Sequence, residues 1–496
     1  MKTKKYSAPV PVHSAVRSML REQFPAIILY VLLSVVLFTW YPDPYLTSDS
    51  GEYINSAVNV TNNPYRPIGY AIFLAFAHFF SATAQAVPVF QGFVYLAGLL
   101  FFVYQLTRVV ELSRRARMML GIVLVVNPLP LFYAHHFLSD SLFASCTLFF
   151  LGSILRYYKH PSIRTLLFVI AGAGMSLMVR HVGLFYMVFS LLVVLVVMGK
   201  KSLNHLAALA LGCGAIILAM CFKMQSDLGV FRLNTFDGWT LWAASAKYID
   251  LRPEYRASVT SPELRELYDY FASFPPGIYT TLTDLQVQWS PDSPAKKLLM
   301  ASIQANNMGY YDAYIFTNDK LSLISKDIIL HRPIQYFLGS FVPAIVKGWW
   351  PDMMLDDTGW KNYPDYPVPA APDRIIQQYY HQASNSWRAR SDLFPSVKPF
   401  VDIWTRAMAP LTVLSVALYG FFRKQLSRPS DEAKFLYLGA GFILLYIISI
   451  ASLSTIYTRY LVPTSVLMSA LVFVGSHQSI QFLTRRSLVT ATGTPI

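Results

Sequence analysis

The chain has 496 residues, of which 54% are hydrophobic and 14% charged, and its mean hydropathy is +0.40. Soluble proteins carry about 25% charged residues, so this composition excludes a soluble globule and is typical of a polytopic membrane protein. The net charge of +14 suggests nucleic-acid binding at first, but the basic residues cluster between apolar segments and form a topology signal rather than a nucleic-acid patch.

The N-terminal segment resembles a secretory signal, with Lys2, Lys4 and Lys5 ahead of an apolar stretch. That stretch ends in Thr39-Trp40-Tyr41-Pro42, which lacks the small residues of a cleavage site. We therefore predict a retained first helix, followed by an outer loop at residues 42–87.

Apolar blocks near the roughly 20 residues needed to cross a bilayer recur along the chain. They predict an all-α polytopic protein with about ten transmembrane helices, at residues 24–41, 88–108, 118–134, 138–156, 164–180, 182–199, 204–224, 400–421, 434–453 and 458–476. With both termini inside, the inner intervals hold about half of the 41 Lys and Arg residues but few acids, namely Glu22, Glu111, Asp431 and Glu432. Cys146, Cys213 and Cys221 all fall inside predicted helices, so no disulfide is expected.

Two further apolar segments, residues 67–81 and 334–350, are predicted to be interfacial helices on the outer surface. If either crossed alone, a basic inner loop would move outside. The chain then divides into an N-terminal transmembrane module with the first outer loop (1–224), a nearly neutral extracytoplasmic loop region (225–399), and C-terminal helices with a cytoplasmic tail (400–496).

Acidic residues at membrane depth are costly and point to function. Asp49 and Glu52 lie in the first outer loop, and Asp140 lies at the outer start of the fourth helix. Carboxylates paired at one membrane face suit a general base or a divalent metal, with Asp49 and Asp140 as the metal candidates. Helix capping stays open as an alternative for both sites, because Asp49-x-x-Glu52 and Ser139-Asp140 match N-terminal patterns.

Basic residues are rare in the short outer loops, where only Arg66, Arg180 and Arg459 occur. Fixed arginines suit a phosphate ligand, which makes Arg180-His181 and Arg459-Tyr460 candidates. Snorkelling to the lipid headgroups is the alternative.

Other candidates have simpler explanations. His135-His136 suits a metal site or an ordinary interfacial loop. Trp349-Trp350 and Asp356-Asp357 suit sugar or metal contacts, or an interfacial anchor and an acidic turn.

The order of these motifs resembles the GT-C superfamily of polyprenyl-phosphate-dependent glycosyltransferases, which includes protein O-mannosyltransferases and aminoarabinose transferases. Four segments match: the acidic loop Ser48-Asp49-Ser50-Gly51-Glu52-Tyr53, the proline-led helix Tyr65-Arg66-Pro67-Ile68-Gly69-Tyr70, the helix start Leu138-Ser139-Asp140-Ser141-Leu142, and Thr458-Arg459-Tyr460-Leu461-Val462-Pro463. The match covers mainly residues 24–200 and 455–476. The first-loop pattern is Asp-x-x-Glu rather than an adjacent or alternating pair, and residues 225–399 align with nothing in the family.

The resemblance implies an inverting sugar transfer at the outer face of the cell membrane. Asp49, Glu52 and Asp140 would be catalytic, Arg459, Tyr460, Arg180 and His181 would bind the donor phosphate, and Tyr53, Arg66 and His136 would bind substrate. The implied partners are a polyprenyl-phosphate sugar donor, a lipid, glycan or protein acceptor, and membrane lipids, with a divalent metal as an open question. A transporter or flippase is the rival class, against which stands the absence of an inverted repeat in the sequence.

Overall fold

The computed structural model describes residues 12–40, 42, 44, 48–349, 379–380, 394–423, 431–451 and 458–492. The described residues form helices and no β-strand, as predicted. Eight of the described helices are long and apolar enough to cross a membrane, or nine when the bent pair described below counts as one span. The remaining predicted crossing, the fifth in chain order at residues 164–180, is an apolar helix of 17 residues, Ile163–Val179.

The N-terminal half, up to Leu228, forms ten helices. They are α1 Val12–Trp40, α2 Ser48–Asn59, α3 Gly69–Phe80, α4 Ala86–Val109, α5 Arg114–Val125, α6 Pro128–Ala134, α7 Ser139–Lys159, α8 Ile163–Val179, α9 Leu184–Met198 and α10 Leu203–Leu228. Helices α5 and α6 meet at a bend of 48°. The bend follows from Asn127-Pro128, because Asn127 caps α6 and proline cannot continue the hydrogen bonds of α5.

The region that follows was predicted to lie outside the membrane and is called the outer region below; it forms shorter helices. They are α11 Asp237–Ser245, α12 Pro253–Ser258, α13 Pro262–Ala272, α14 Ile278–Thr281, α15 Asp284–Trp289, α16 Pro294–Asn306, α17 Tyr310–His331, α18 Pro333–Tyr336 and α19 Val342–Trp349. A hydrophobic core of their own, built around Trp239, Trp242, Phe271 and Tyr314, is separate from the core of the apolar bundle. The side chain of Trp349 is not described, and Trp350, Asp356 and Asp357 lie outside the described residues.

Three helices complete the bundle: α20 Phe394–Arg423, α21 Asp431–Ala451 and α22 Val462–Thr492. Helix α7 lies at the centre, since it packs against α4, α8 and α22 and 83% of its apolar window is buried. Asp140 therefore lies at the end of the most enclosed of the long apolar helices that the structure describes.

Ion pairs link helix ends that the charge pattern assigns to the same side. Glu22 pairs with Arg117, and Lys159 pairs with Asp431, all four at predicted inner ends. Asp49–Arg66 and Asp140–Arg180 pair at predicted outer ends. The alternation of helix direction in the fold is thus consistent with the predicted order of crossings.

The first outer loop holds α2 and α3, where interfacial helices were predicted. Phe76, Phe79 and Phe80 on α3 are exposed, and so are Leu330, Ile334, Phe337 and Leu338 near α18. Exposed aromatic and aliphatic residues beside an apolar bundle suit contact with the lipid interface. The interfacial placement of both segments stays a prediction.

Candidate functional site

The candidate residues gather at the end of the bundle that was predicted to face outward, called the outer end below, where α1 and α8 end and α2, α7 and α22 begin. Helix α2 lies against the start of α7: Ser50 donates a hydrogen bond to the Phe137 carbonyl at 2.9 Å, and the hydroxyls of Tyr53 and Ser139 share one of 2.8 Å. Asp49 and Asp140 are therefore on adjoining helix ends. Both lie in the first turn of their helices, where the helix dipole favours a negative charge.

Asp49 forms an ion pair with Arg66, with 2.7 Å between Oδ2 and a terminal guanidinium nitrogen. The side chains are 26% and 17% exposed, so the pair is reachable from the outer side. The guanidinium lies 5.9 Å from the ring centres of Tyr53 and Phe236, and Phe236 belongs to the outer region. Arg66 thus links the first outer loop to the outer helices.

The direction of Arg66 is set by a turn and by a close helix approach. The side chain of Asn63 accepts hydrogen bonds from the backbone of Tyr65 and Arg66 at 3.0 and 2.8 Å. Gly69 then packs directly on the end of α8, where a Cβ atom would lie 2.5 Å from the Met178 carbonyl oxygen. The start of α3 therefore lies against Met178, two residues before Arg180.

Asp140 and Arg180 form a second, more enclosed ion pair at 2.6 Å, with side chains 0% and 10% exposed. The Arg180 guanidinium lies 5.0 Å from the ring centre of Tyr460, and the Tyr460 carbonyl accepts a 2.9 Å hydrogen bond from Tyr446. The second carboxylate oxygen of Asp140 is buried and has no partner among the described residues. Arg180 therefore joins the Asp140 motif to the Arg459-Tyr460 motif.

Arg459 lies in the short 3-10 helix Thr458–Leu461, directly before α22, and its side chain lies outside the described residues. Its backbone neighbour Tyr460 is the residue that Arg180 contacts. The Arg-Tyr-x-x-Pro segment is thus at the same end of the bundle as Asp140.

Glu52 points away from the two ion pairs, toward the outer region. Its Oε2 accepts a hydrogen bond of 3.0 Å from the Tyr311 hydroxyl, at the start of α17. Burial raises the pKa of the Glu52 carboxyl, and the Tyr311 hydrogen bond partly offsets the effect. A carboxyl with a raised pKa is better matched to proton transfer near neutral pH.

The two histidine candidates differ in surroundings. His181 begins the turn after Arg180 and is partly exposed. His136 is buried, its Nδ1 lies 3.0 Å from the Phe132 carbonyl, and burial lowers its pKa to about 3. The surroundings of His136 are those of a packed neutral side chain between α6 and α7, so a direct substrate contact would need that packing to open.

A metal site has little support from the arrangement of carboxylates. No group of three or more His, Cys, Asp or Glu side chains suited to an ion occurs in the described part of the chain. Asp49 and Asp140, the predicted metal candidates, each have an arginine as counterion. These pairs neutralise the charge that would attract a divalent cation.

Several site residues were not predicted from the sequence. Asn63-Pro64 is a turn signal that would have identified Asn63 as the residue that directs Arg66. Tyr311 and Tyr446 carry no local signal, since their role depends on contacts with distant segments.

Comparison with known proteins gives two solved structures. No family model and no curated protein matches the chain. The archaeal oligosaccharyltransferase AglB from Archaeoglobus fulgidus, solved with an inhibitory peptide and a dolichol-phosphate, aligns at 14% identity and a TM-score of 0.41 over 96% of this chain and 52% of that one. This chain thus spans about half the length of that enzyme. ArnT from Cupriavidus metallidurans, solved with undecaprenyl phosphate, aligns at 12% identity and a TM-score of 0.34 over 90% of this chain and 77% of that one.

Both solved structures are GT-C glycosyltransferases, the superfamily that the sequence motifs resemble. The identities and TM-scores are too low for either likeness to assign a function. The function is therefore argued from the residues of the site.

Proposed function

We propose that the protein is a membrane glycosyltransferase that moves a sugar from a polyprenyl-phosphate donor to a hydroxyl-bearing lipid, glycan or protein at the outer face. One observation carries the proposal: four short motifs, spread from residue 48 to residue 463, meet at one end of the bundle through Tyr53–Ser139, Asp49–Arg66 and Asp140–Arg180–Tyr460. Such a convergence of acids and arginines at one membrane face suits transfer from an anionic leaving group.

The proposed step is an inverting displacement. Asp49 takes the proton of the acceptor hydroxyl as the acceptor oxygen bonds to the anomeric carbon, and the bond from that carbon to the phosphate oxygen breaks. The electron pair leaves with the polyprenyl phosphate. Asp49 is the best placed base because it is partly exposed, whereas Asp140 is enclosed.

Arg180 and Arg459 are the proposed partners of the donor phosphate. Asp140 and the Tyr460 ring hold the Arg180 guanidinium between them, which fixes its direction before substrate arrives. Preset cations stabilise the charge that grows on the phosphate as the sugar leaves. In this account Asp140 is a positioning residue.

The lipid tail of the donor has a candidate path in the bundle. An apolar groove of about 320 Å³ between α5, α20 and α22 is lined by Trp404, Met408, Phe473 and other side chains. Trp404 and Met408 also line a smaller gap that reaches Leu461, next to Tyr460, and Gly348 of α19. The groove and the gap share these two side chains, and the gap ends at the residue after Tyr460, which supports a path for the polyprenyl chain between α5, α20 and α22.

Release of label from a polyprenyl-phosphate donor tests the proposal. Purified protein in lipid nanodiscs, given a donor with a radiolabelled sugar and a mixture of acceptors, should convert it to free polyprenyl phosphate. A sealed-vesicle assay run in parallel should show no net movement of intact donor across the bilayer. Movement of donor without cleavage would identify a transporter and refute the glycosyltransferase proposal.

A further inference from the structure

An open cleft of about 670 Å³ lies on the outer side of the site, between the N-terminal module and the outer region. Its wall includes Glu52 of α2, Asp227 at the end of α10, and Tyr310, Tyr311 and Asp312 in the first turn of α17. No Lys or Arg is among the described residues that line it. Asp227 is paired with Lys223 at 2.7 Å and burial disfavours the charged form of Glu52, so the negative charge of the cleft comes mainly from Asp312.

Tyr310 and Tyr311, the first two residues of α17, have different surroundings. Neighbouring residues on a helix point about 100° apart, so Tyr310 and Tyr311 face different sides. Tyr311 faces α2, where it donates to Glu52 at 3.0 Å and lies 3.4 Å from the Asn55 amide. Tyr310 is 45% exposed and presents its ring to the cleft.

We propose that this cleft binds the acceptor and that the acceptor is a neutral or amine-bearing carbohydrate chain. The proposal rests on the proposed glycosyltransferase function and narrows its acceptor class. The exposed Tyr310 ring offers an apolar face on which the C–H face of a sugar can pack. Ionised carboxylates accept hydrogen bonds only, and a sugar supplies hydroxyl donors in many directions.

The same features disfavour other acceptors. An anionic glycan or phospholipid headgroup would meet Asp312 with like charge, which opposes binding.

Binding to a printed array tests the acceptor class without any transfer step. The full chain in nanodiscs is applied to neutral hexose oligosaccharides, oligosaccharides with free amines, hexuronate oligosaccharides, and Ser/Thr-rich peptides. Neutral and amine-bearing sugars should retain the protein. Tyr310→Ala should weaken that binding about tenfold, whereas Tyr310→Phe should preserve it because the ring remains.

Charge variants complete the design. Asp312→Asn should raise binding to the hexuronate sugars, and Asp292→Asn, an 88% exposed carboxylate elsewhere in the outer region, should change nothing. Retention on peptides alone, no retention on any carbohydrate, or equal carbohydrate binding by Tyr310→Ala would overturn the proposal. Donor cleavage without carbohydrate binding would overturn the acceptor class alone, and carbohydrate binding without donor cleavage would overturn the glycosyltransferase proposal alone.

Discussion

The Asp140–Arg180 pair is the most enclosed pair of opposite charges at the outer end, with side chains 0% and 10% exposed. Removing one partner of such a pair leaves a buried charge without a counterion. Arg180→Met should therefore lower the free energy of unfolding by about 3–5 kcal/mol. The double variant Asp140→Leu/Arg180→Met should recover most of this loss, because neither charge remains.

Thermal unfolding in one detergent measures the stability of these variants, and donor cleavage measures their activity. We expect the double variant to be stable and inactive, since Arg180 has a role beyond stabilising the fold. Recovery of both stability and donor cleavage in the double variant would show that the pair is only structural.

Glu52 predicts a pH-dependent contribution to stability. Burial raises the pKa of its carboxyl above the unfolded value of about 4.3, so the folded state favours the protonated form. The stabilisation relative to the unfolded chain is fully present below about pH 4.3 and is lost as pH rises through the folded pKa. The glutamine of Glu52→Gln is uncharged at every pH, so the variant does not lose this stabilisation as the pH rises.

The unfolding temperatures of wild type and Glu52→Gln should therefore converge near about pH 4 and separate toward neutral pH, with the variant higher. Glu266→Gln, on the exposed face of α13, is the matched control and should follow wild type at all pH values. Parallel curves for wild type and Glu52→Gln would contradict the assignment of Glu52 as a buried carboxyl whose charged form the fold disfavours.

At the scale of helices, hydropathy and charge predicted the all-α architecture and the helix that each site residue would begin or end. Asp140 does lie in the first turn of α7, Arg180 does follow α8, and Asp49 lies in the first turn of α2. The partners could not be predicted, because Tyr311 meets Glu52 across 259 residues and Tyr446 meets the Tyr460 carbonyl only after α21 and α22 pack. Local patterns report periodicity and caps but carry no information about such long-range contacts.

The direction of the helices is testable by cysteine labelling. The native cysteines are all buried, so an introduced one is the main reactive thiol. Arg115→Cys and Arg164→Cys are exposed at predicted inner ends and should resist a membrane-impermeant thiol reagent in sealed cells. Val58→Cys and Asp292→Cys are exposed on the predicted outer side and should react.

Permeabilised cells serve as the control, since all four positions should react there. Labelling of Arg115→Cys in sealed cells would contradict the predicted topology. It would also contradict the interfacial placement of α3, because a crossing by α3 is what would move that loop outside.

At the scale of the whole molecule, the outer region packs around a hydrophobic core of its own. Residues of the first outer loop connect this core to the proposed site. Tyr65 belongs to the first outer loop, yet its ring packs in the outer core, 4.4 Å from the ring centre of Tyr314. The next residue, Arg66, pairs with Asp49. The outer helices are therefore attached to the site through consecutive residues, and α17 reaches Glu52 from the same core.

The central claim is that the acids and arginines at the outer end of the bundle catalyse sugar transfer, with Asp49 as the base. Donor cleavage by Asp49→Asn, measured beside donor affinity, tests it most directly, with Asp319→Asn as the control because Asp319 forms a comparable pair with Arg232 on the surface of the outer region. We predict that Asp49→Asn loses about 10²–10⁴-fold in turnover and keeps wild-type donor affinity, while Asp319→Asn stays active. Wild-type turnover by an Asp49→Asn protein that is merely less stable would contradict the claim and leave Asp49 as a helix cap.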